Sequence, residues 1–335
     1  MSPLRNYKSK LKRVFMFNLK ELKEASEIVH NVVKPTLQNN WPQLSDIAGC
    51  EVWVKHENHT PTGAFKVRGG VYLLNQLMNS ENPPKGLISA TRGNHGQSLS
   101  YSCKKAGLPL TIVVPENNNE DQNRAIKAFG TNLIIHGKDF EAARQHSLEL
   151  QKSSGYLPIP PFCKELVLGV ATYAYEFLSE LKDLDTVYVA VGMGSGICGL
   201  IKTRDLLGLK TKIVGVVAEG APTFSLSFEA KRIINTETAE TIADGVATSA
   251  PMKEAFDMIL EGADRIVKVT DETIKQAMYQ YYQTTHNLAE GAGAVALAGL
   301  LTEQVEMKSK KVGLILSGGN IDFNRFSQFI SSVAK

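Results

Sequence analysis

The sequence predicts an α/β fold in which two open, mostly parallel sheets are flanked by helices. Short β-rich runs alternate with helical patterns from about residue 86 onward. The runs LTIVVP, TVYVAV and VGLILS are apolar at consecutive positions rather than at alternate ones, which is typical of strands covered by helices on both faces of a parallel sheet. Such sheets bind ligands at the carboxyl ends of their strands, so we expect the loops there to carry the chemistry.

A smaller domain is predicted between residues 83 and 160. There the strands GLISA, LTIVVP and TNLIIHG are each followed by a helical pattern, and Gly107 and Gly130 stand where the first two helices are expected to end. The proline-rich segment YLPIPPF that follows predicts a crossing between lobes. We therefore expect residues 83–160 to form a small mobile domain inserted into a larger one, which consists of residues 1–82 and 161–335.

The larger domain is predicted from four further strands. These are EVWVKHEN, TVYVAV, KIVGVVAE and KKVGLILS, and a long helical pattern, KELVLGVATYAYEFLSEL, precedes the second of them. EVWVKHEN, TVYVAV and KKVGLILS lead directly into loops rich in glycine and polar residues. Together with the loop after GLISA, these make four candidate functional segments.

The composition is that of an ordinary globular protein. Of 335 residues, 43% are hydrophobic and 21% are charged, which is enough apolar material for a sizeable core. The formal net charge of +3 is too small to indicate a nucleic acid or an anionic membrane as partner. No apolar stretch has the length of a signal peptide core or a membrane span. We expect a soluble cytoplasmic protein that acts on a small molecule.

The cysteines and the N-terminal charges add two expectations. The four cysteines lack CxxC spacing and stand in apolar contexts, which favours free thiols in a reducing compartment. They are Cys50, Cys103, Cys163 and Cys198. A basic cluster near the start indicates a solvated, flexible tail over residues 1–15. It consists of Arg5, Lys8, Lys10, Lys12 and Arg13.

The first candidate loop, TPTGAFKVRGG, places Lys66 in an apolar and glycine-rich setting. A lysine held in an apolar pocket loses hydration, its pKa falls, and its neutral amine becomes a nucleophile and a base. The alternative for this segment alone is a surface lysine at the start of a helix, with Gly63 forming a turn.

The second loop, SATRGNHGQS, joins a strand to a helix through Gly93, Asn94 and His95. Backbone N–H groups at a helix N-terminus bind anions and suit a substrate carboxylate. Asn94 is also able to donate a hydrogen bond to a phenolic oxygen. The alternative is that Asn94 only caps the helix, and His95 alone is weak evidence for catalysis.

The third loop, VGMGSGICG, follows an apolar strand and enters a helix. Its glycines allow the backbone to wrap an oxyanion, and Ser195 adds a hydroxyl, so a phosphate is the natural ligand. A dinucleotide site is the alternative, because Gly194, Gly196 and Gly199 match G-x-G-x-x-G and Glu219 lies 20 residues beyond Gly199. That alternative leaves the other three loops unexplained.

The fourth loop, LSGGN, places Ser317 at the end of a buried strand, where its hydroxyl can meet a heterocyclic nitrogen or simply cap the turn. Together the four loops provide an amine, a carboxylate site, a phosphate site and a partner for a ring nitrogen. Pyridoxal 5′-phosphate requires this combination of groups. The sequence therefore predicts this cofactor.

The chain resembles the fold type II, or tryptophan synthase β-like, pyridoxal-phosphate enzymes, and among them the serine/threonine dehydratases. The resemblance runs from about Pro35 onward and rests on six motifs in order: KHENHTPTGAFKVRGG, ATRGNHGQS, VGMGSGICG, TIADGVA, AEGAGAVALAGLL and LSGGN. It implies a two-domain enzyme in which Lys66 carries the cofactor and acts as the catalytic base. It also implies a homodimer or a homotetramer.

The resemblance assigns further residues to the cofactor and the substrate. Phe65 is expected to pack against the cofactor, Asn94 to bond its 3′-oxygen and Ser317 to meet its pyridine nitrogen. The phosphate is expected to lie on Gly192, Met193, Gly194, Ser195 and Gly196. The substrate carboxylate is expected on the loop formed by Thr91, Arg92, Gly93, Asn94 and His95.

The implied reaction is the dehydration and deamination of a β-hydroxy amino acid. L-Threonine then yields 2-oxobutanoate and ammonia, and L-serine yields pyruvate, with the cofactor phosphate assisting departure of the hydroxyl group. The alternatives are another β-substituted substrate, such as phenylserine or threo-3-hydroxyaspartate, a serine racemase, and a binding protein that has kept the fold without catalysis.

Two departures from the family pattern affect these expectations. Many relatives carry a serine immediately before the Gly-Asn of the second loop, where this chain has Arg92, and a charged arginine is a poor acid or base for racemisation. The metal site of racemase-like members needs an acidic residue where this chain has Ser225. KHENH also lacks a convincing metal-binding pattern, so no metal is expected.

Overall fold

The computed structural model describes residues 17–334. The basic N-terminal cluster and the predicted flexible tail over residues 1–15 lie outside the described residues. Within the described range, the backbone forms two sheets, one of six strands and one of four. Among the helices of this range, none combines the length and the apolar character that crossing a bilayer requires.

The strands are numbered in chain order. They are β1 (Gln38–Asn40), β2 (Glu51–His56), β3 (Leu87–Ala90), β4 (Leu110–Val114), β5 (Asn132–Ile135), β6 (Leu157–Pro158), β7 (Thr186–Ala190), β8 (Lys212–Ala218), β9 (Arg265–Val269) and β10 (Lys311–Leu316). The larger sheet has the order β1-β2-β10-β7-β8-β9, and the smaller has the order β5-β4-β3-β6. Only the β1–β2 pair is antiparallel among these strands.

Helices connect and cover the strands. They are α1 (Leu19–His30), α2 (Pro42–Ala48), α3 (Lys66–Met78), α4 (Asn94–Ala106), α5 (Glu120–Lys127), α6 (Phe140–Ser154), α7 (Lys164–Glu180), α8 (Ser195–Leu206), α9 (Thr223–Ala230), α10 (Lys253–Gly262), α11 (Asp271–Thr285), α12 (Gly291–Thr302) and α13 (Phe323–Val333). Single turns of 3₁₀ helix occur at Glu57–His59 and Asp244–Val246.

The larger sheet is buried on both faces, as its continuous apolar strands predict. Successive residues of β7 point to opposite sides: Tyr188 packs in the cluster that contains α12, and Val187 and Val189 pack in the cluster that contains α7 and α8. The small residues of α12 allow it to approach the sheet closely, since a Cβ on Gly299 would lie 2.5 Å from Val216 Cγ2. This packing fixes the start of α12, next to the candidate site.

The smaller sheet differs from the sequence prediction in one strand and one helix end. Leu157–Pro158, inside the expected proline-rich crossing, forms the edge strand β6 beside β3. Proline is tolerated there because the outer side of an edge strand needs no N–H donor. Helix α5 ends at Lys127, and Gly130 lies in the following turn with φ +83° rather than at the helix end. All four strands of this sheet lie within residues 83–160, and the division into domains stays a prediction.

A buried ion cluster joins α3 to β2 and α7. The Arg68 guanidinium, fully buried, donates to Glu57 Oε2 at 2.7 Å and to Glu176 Oε1 at 2.5 Å. Lys55 Nζ, also buried, donates to Glu176 Oε2 at 2.5 Å. Each charge has partners, which is the condition under which buried ions are tolerated. Because Arg68 lies near the start of α3, the cluster also fixes the beginning of that helix, where Lys66 lies.

We expect Arg68→Met to lower the free energy of unfolding by about 3 to 5 kcal/mol, because it leaves two buried carboxylates short of a partner. The matched control is Arg144→Met, which breaks an exposed pair with Glu141 and should cost about 0.5 kcal/mol or less. Urea unfolding of both variants measures the difference. Equal effects of the two substitutions would contradict a structural role for the buried cluster.

Candidate active site

The first and fourth sequence motifs are joined by backbone hydrogen bonds. Phe65 N donates to Ser317 O at 3.0 Å, Gly319 N donates to Gly63 O at 2.9 Å, and Ala64 and Gly318 form an isolated β-bridge. These contacts follow directly on the parallel pairing of β2 with β10. They bring the segment before Lys66 and the loop after β10 into one surface at the carboxyl edge of the larger sheet.

Lys66 is the first residue of α3, and its amine reaches the third motif. Its Nζ donates to Ser195 Oγ at 2.9 Å and lies 4.8 Å from the centre of the Phe65 ring. Burial lowers the pKa of Lys66 to about 8, because a charged amine is poorly solvated there. The amine therefore has a substantial neutral fraction at mildly alkaline pH. The ring of Phe65 packs edge-on against Tyr173 at 6.0 Å.

The third motif forms a loop that crowds against neighbouring backbone. Gly194 has φ +97°, which glycine adopts readily. A Cβ on Gly192 would lie 2.2 Å from the carbonyl oxygen of Gly245, so side chains are excluded from that side of the loop. Ser195 begins α8, and the N–H groups of the first turn of this helix are suited to an anion. Met193 is half-buried and accepts a weak bond from Thr248 at 3.9 Å.

The second motif places its residues in different environments. Thr91 is buried, and its hydroxyl accepts from Gly93 N at 3.2 Å. Arg92 is exposed. Burial, and then the charge of Lys66, lower the pKa of His95 to about 3. The Nε2 atom of His95 is buried and has no hydrogen-bond partner among residues 17–334, which leaves a polar atom available to a ligand.

Asn94 starts α4 and contacts two residues that the sequence analysis did not assign. Its Nδ2 donates to Glu290 Oε1 at 2.7 Å, and its Oδ1 accepts from Asn320 Nδ2 at 2.8 Å. Burial raises the pKa of Glu290 to about 7. Both residues lie within motifs of the sequence, Glu290 in AEGAGAVALAGLL and Asn320 in LSGGN. Glu290 could have been found there, because a single acid in an apolar stretch needs a buried partner.

Ser317 lies at the end of β10, as predicted, and is buried. Its hydroxyl donates to Ala292 O at 3.3 Å, so its lone pairs remain able to accept. The structure thus brings together Lys66, Ser195, Asn94 and Ser317 from four separate strand ends. Their roles toward a cofactor remain proposals.

The residues present fit pyridoxal 5′-phosphate. A buried amine whose pKa is lowered lies within hydrogen-bond distance of a glycine loop at a helix N-terminus. The N–H groups of the first turn of α8 are suited to a phosphate, and the loop before this helix is held against the protein, since a Cβ on Gly192 would lie 2.2 Å from the carbonyl oxygen of Gly245. The buried, unpartnered Nε2 of His95 is a further polar atom for a ligand.

A metal ion and a dinucleotide receive less support as ligands of this site. No group of three His, Cys, Asp or Glu side chains within residues 17–334 is arranged to hold a metal ion. In the KHENH segment, Glu57 is bound to Arg68 and the ring of His56 stacks on that of His59 at 5.3 Å. Glu219, the acid that a dinucleotide site would use, is exposed.

The cofactor-free protein should lose stability as pH rises from about 4.5 to about 7 through Glu290, because only the folded state holds its proton in that range. At pH 8, Glu290→Gln should therefore be more stable than the parent protein by roughly 1 to 3 kcal/mol, and at pH 4 the two should be equal. Urea unfolding at both pH values measures this. Glu303→Gln is the control, and at pH 8 it should be less stable than the parent protein. The reason is that the Glu303 carboxylate accepts hydrogen bonds from Arg265 and Tyr188. A Glu290→Gln effect that does not depend on pH would contradict the assignment.

Comparison with known proteins identifies the family of the chain. Residues 30–318 match the family described as pyridoxal-phosphate dependent enzyme. The L-threonine ammonia-lyase of Thermotoga maritima is 32% identical over 94% of this chain and 79% of its own length. The L-threo-3-hydroxyaspartate ammonia-lyase of Saccharomyces cerevisiae is 32% identical over 92% of this chain and 94% of its own length.

Solved structures show the same fold. Processed threonine deaminase isoform 2 from Solanum lycopersicum superposes with a TM-score of 0.86 at 28% identity, covering 96% of each chain. Maize serine racemase superposes with a TM-score of 0.87 at 26% identity, covering 94% of this chain and 97% of its own. The predicted α/β fold with parallel sheets and the predicted cofactor are confirmed. The chain belongs to the family of pyridoxal-phosphate-dependent enzymes of fold type II.

Proposed function

We propose that the protein is an ammonia-lyase that converts L-threonine to 2-oxobutanoate and ammonia, and L-serine to pyruvate and ammonia. The observation that carries the proposal is the Lys66 amine, whose pKa burial lowers to about 8, placed 2.9 Å from Ser195 of the glycine loop. Relatives named L-threonine ammonia-lyase and L-threonine dehydratase support the substrate.

When bound, pyridoxal 5′-phosphate supplies an electron-accepting ring that stabilises negative charge at the substrate Cα. Lys66 would hold it covalently, and Phe65 would pack beside it. Asn94 would donate to its phenolic oxygen, and Ser317 would accept or donate at its ring nitrogen. The loop of Gly192, Met193, Gly194, Ser195 and Gly196 would bind its phosphate. A neutral serine at the ring nitrogen does not enforce ring protonation, which suits an elimination in which charge leaves Cα quickly.

The chain's own residues bind the substrate and move its protons. The loop of Thr91, Arg92, Gly93, Asn94 and His95 holds the substrate carboxylate, because it leads into the positive end of α4. The substrate amine displaces Lys66 from the cofactor, and the freed Lys66 Nζ, when neutral, removes the proton at Cα. The Cβ–O bond then breaks, and the hydroxyl group leaves as water after gaining a proton. The released enamine takes up water and gives the 2-oxo acid and ammonia.

A second candidate substrate is threo-3-hydroxyaspartate. The observation that favours it is Arg92, an exposed cation in the carboxylate loop where many relatives carry a serine. A guanidinium is well suited to a second carboxylate. The yeast relative named for this substrate adds support. Racemisation is disfavoured, because Arg92 is a poor acid or base on the face opposite Lys66.

The proposal extends to assembly and location. A homodimer or homotetramer is supported by two large apolar side chains that are close in sequence and more than 40% exposed. They are Tyr282 and Leu288. Free cysteines, three of them buried, support a reducing, cytoplasmic location. Movement of residues 83–160 as a small domain is proposed from their separate sheet.

Lys66→Arg should abolish 2-oxo acid release and the visible absorbance band of the loaded protein, because a guanidinium keeps the positive charge but cannot bond the cofactor covalently. Absorbance before and after borohydride reduction, with a coupled 2-oxo acid assay, measures both. Lys20→Arg at the exposed surface is the control and should change neither. Turnover by Lys66→Arg at the parent rate would exclude Lys66 as the base.

A panel of L-threonine, L-serine, phenylserine and threo-3-hydroxyaspartate should show the highest kcat/KM for L-threonine. Arg92→Gln should lower kcat/KM for threo-3-hydroxyaspartate roughly tenfold more than for L-threonine, because it removes the charge that meets the second carboxylate. Arg92→Lys, which keeps the charge, is the control. Absence of 2-oxo acid from every member of the panel would exclude both candidate substrates together.

A further inference from the structure

The direction of the Asn94 amide is set by a backbone carbonyl. Asn320 Nδ2 donates to Thr62 O at 2.7 Å, and a carbonyl oxygen can only accept. The amide nitrogen of Asn320 must therefore face Thr62, and the same nitrogen donates to Asn94 Oδ1 at 2.8 Å. With its oxygen turned to Asn320, Asn94 has its amide nitrogen turned to Glu290 Oε1 at 2.7 Å.

Two glycines leave the room that these side chains need. A Cβ on Gly63, which has φ +67°, would lie 2.4 Å from Asn320 Oδ1, and a Cβ on Gly318 would lie 2.4 Å from Glu290 Oε1. The backbone of Asn320 is also held, since its carbonyl accepts from Gln122 Nε2 at 3.0 Å. Asn320 and Glu290 are thus fixed as the two partners of Asn94.

We propose that Asn320 and Glu290 are positioning residues that orient the Asn94 amide through a one-way hydrogen-bond relay from the Thr62 carbonyl, so that Asn94 presents an N–H, and not a carbonyl, to the phenolic oxygen of the cofactor. The proposal rests on the proposed contact between Asn94 and that oxygen. An amide nitrogen has two protons, so Asn94 bonds Glu290 with one and keeps the other for the cofactor.

The relay predicts that its direction can be reversed by two isosteric substitutions. The carboxylate introduced by Asn320→Asp cannot donate, so Asn94 turns its nitrogen toward that carboxylate and its oxygen toward Glu290. Above pH 8 the Glu290 side chain is ionised and can only accept, so two acceptors meet there. Adding Glu290→Gln supplies a donor to the turned oxygen. The double variant therefore regains hydrogen bonds around Asn94 but presents a carbonyl to the cofactor.

The experiment compares four proteins: the parent, Asn320→Asp, Glu290→Gln and the double variant. Each is stripped of cofactor and titrated with pyridoxal 5′-phosphate above pH 8, where the Glu290 side chain of the parent is ionised, and its Kd is read from the visible absorbance band. The urea midpoint of each cofactor-free protein is also measured. Asn320→Asp should lower the urea midpoint. It should also weaken Kd by roughly 10- to 100-fold, because the cofactor loses the hydrogen bond from Asn94 and meets an unpaired carbonyl oxygen instead. Glu290→Gln should stay within about threefold of the parent Kd.

The double variant separates orientation from stability. Its urea midpoint should recover part of the loss seen in Asn320→Asp, while its Kd stays at least about tenfold weaker than that of the parent. A merely structural role predicts that both quantities recover together, and that result would overturn the relay. So would an unchanged Kd in Asn320→Asp. Failure of the parent protein to bind the cofactor would instead reject the proposed function.

If Asn320→Asp does not fold, Asn320→Ala carries the test. It leaves Asn94 free to turn, so adding Glu290→Gln, which can then donate to the turned oxygen, should weaken Kd further by about threefold or more, although Glu290→Gln is nearly neutral alone. Additive effects of the two substitutions would overturn the relay in this background.

Discussion

The backbone pairing between residues 63–65 and 317–319 is the interaction on which the site depends. It joins the loop after β2 to the loop after β10, two segments that lie far apart in the chain. Because β10 lies between β2 and β7 in the sheet, the same pairing places Lys66 over the glycine loop after β7. The buried Arg68 cluster holds the other side of α3. Lys66 is therefore positioned by main-chain bonds on one side and by buried charge on the other.

Burial at this edge favours the uncharged forms of the ionisable groups. It lowers the pKa of Lys66 and of His95 and raises that of Glu290. These shifts have one main physical cause, the loss of water around groups that would otherwise carry charge. An amine that is partly neutral near pH 8 suits both covalent attachment of a cofactor and removal of a proton. The site is thus prepared for proton transfer by its surroundings before any ligand arrives.

The local features of the site could be predicted because each is written in a short stretch of chain. Lys66 between apolar residues, the three glycines around Ser195, and Ser317 after a continuous apolar strand each indicated their chemistry. Helix α5 ends at Lys127, before the glycine at which it was expected to end. The edge strand β6 was not predicted, because Pro158 is not typical of a strand. The strand is decided by its pairing with β3 rather than by local preference.

By itself, the sequence determined the parallel α/β fold, the order of the functional loops and the cofactor they suit, because continuous apolar strands and glycine-rich strand ends are local patterns. Tertiary structure alone decided that Glu290 and Asn320 are the partners of Asn94, and that Arg68, Glu57 and Glu176 share one buried cluster. These partners come from separate segments of the chain. Their contacts depend on how helices and sheet pack, which no short stretch of sequence encodes.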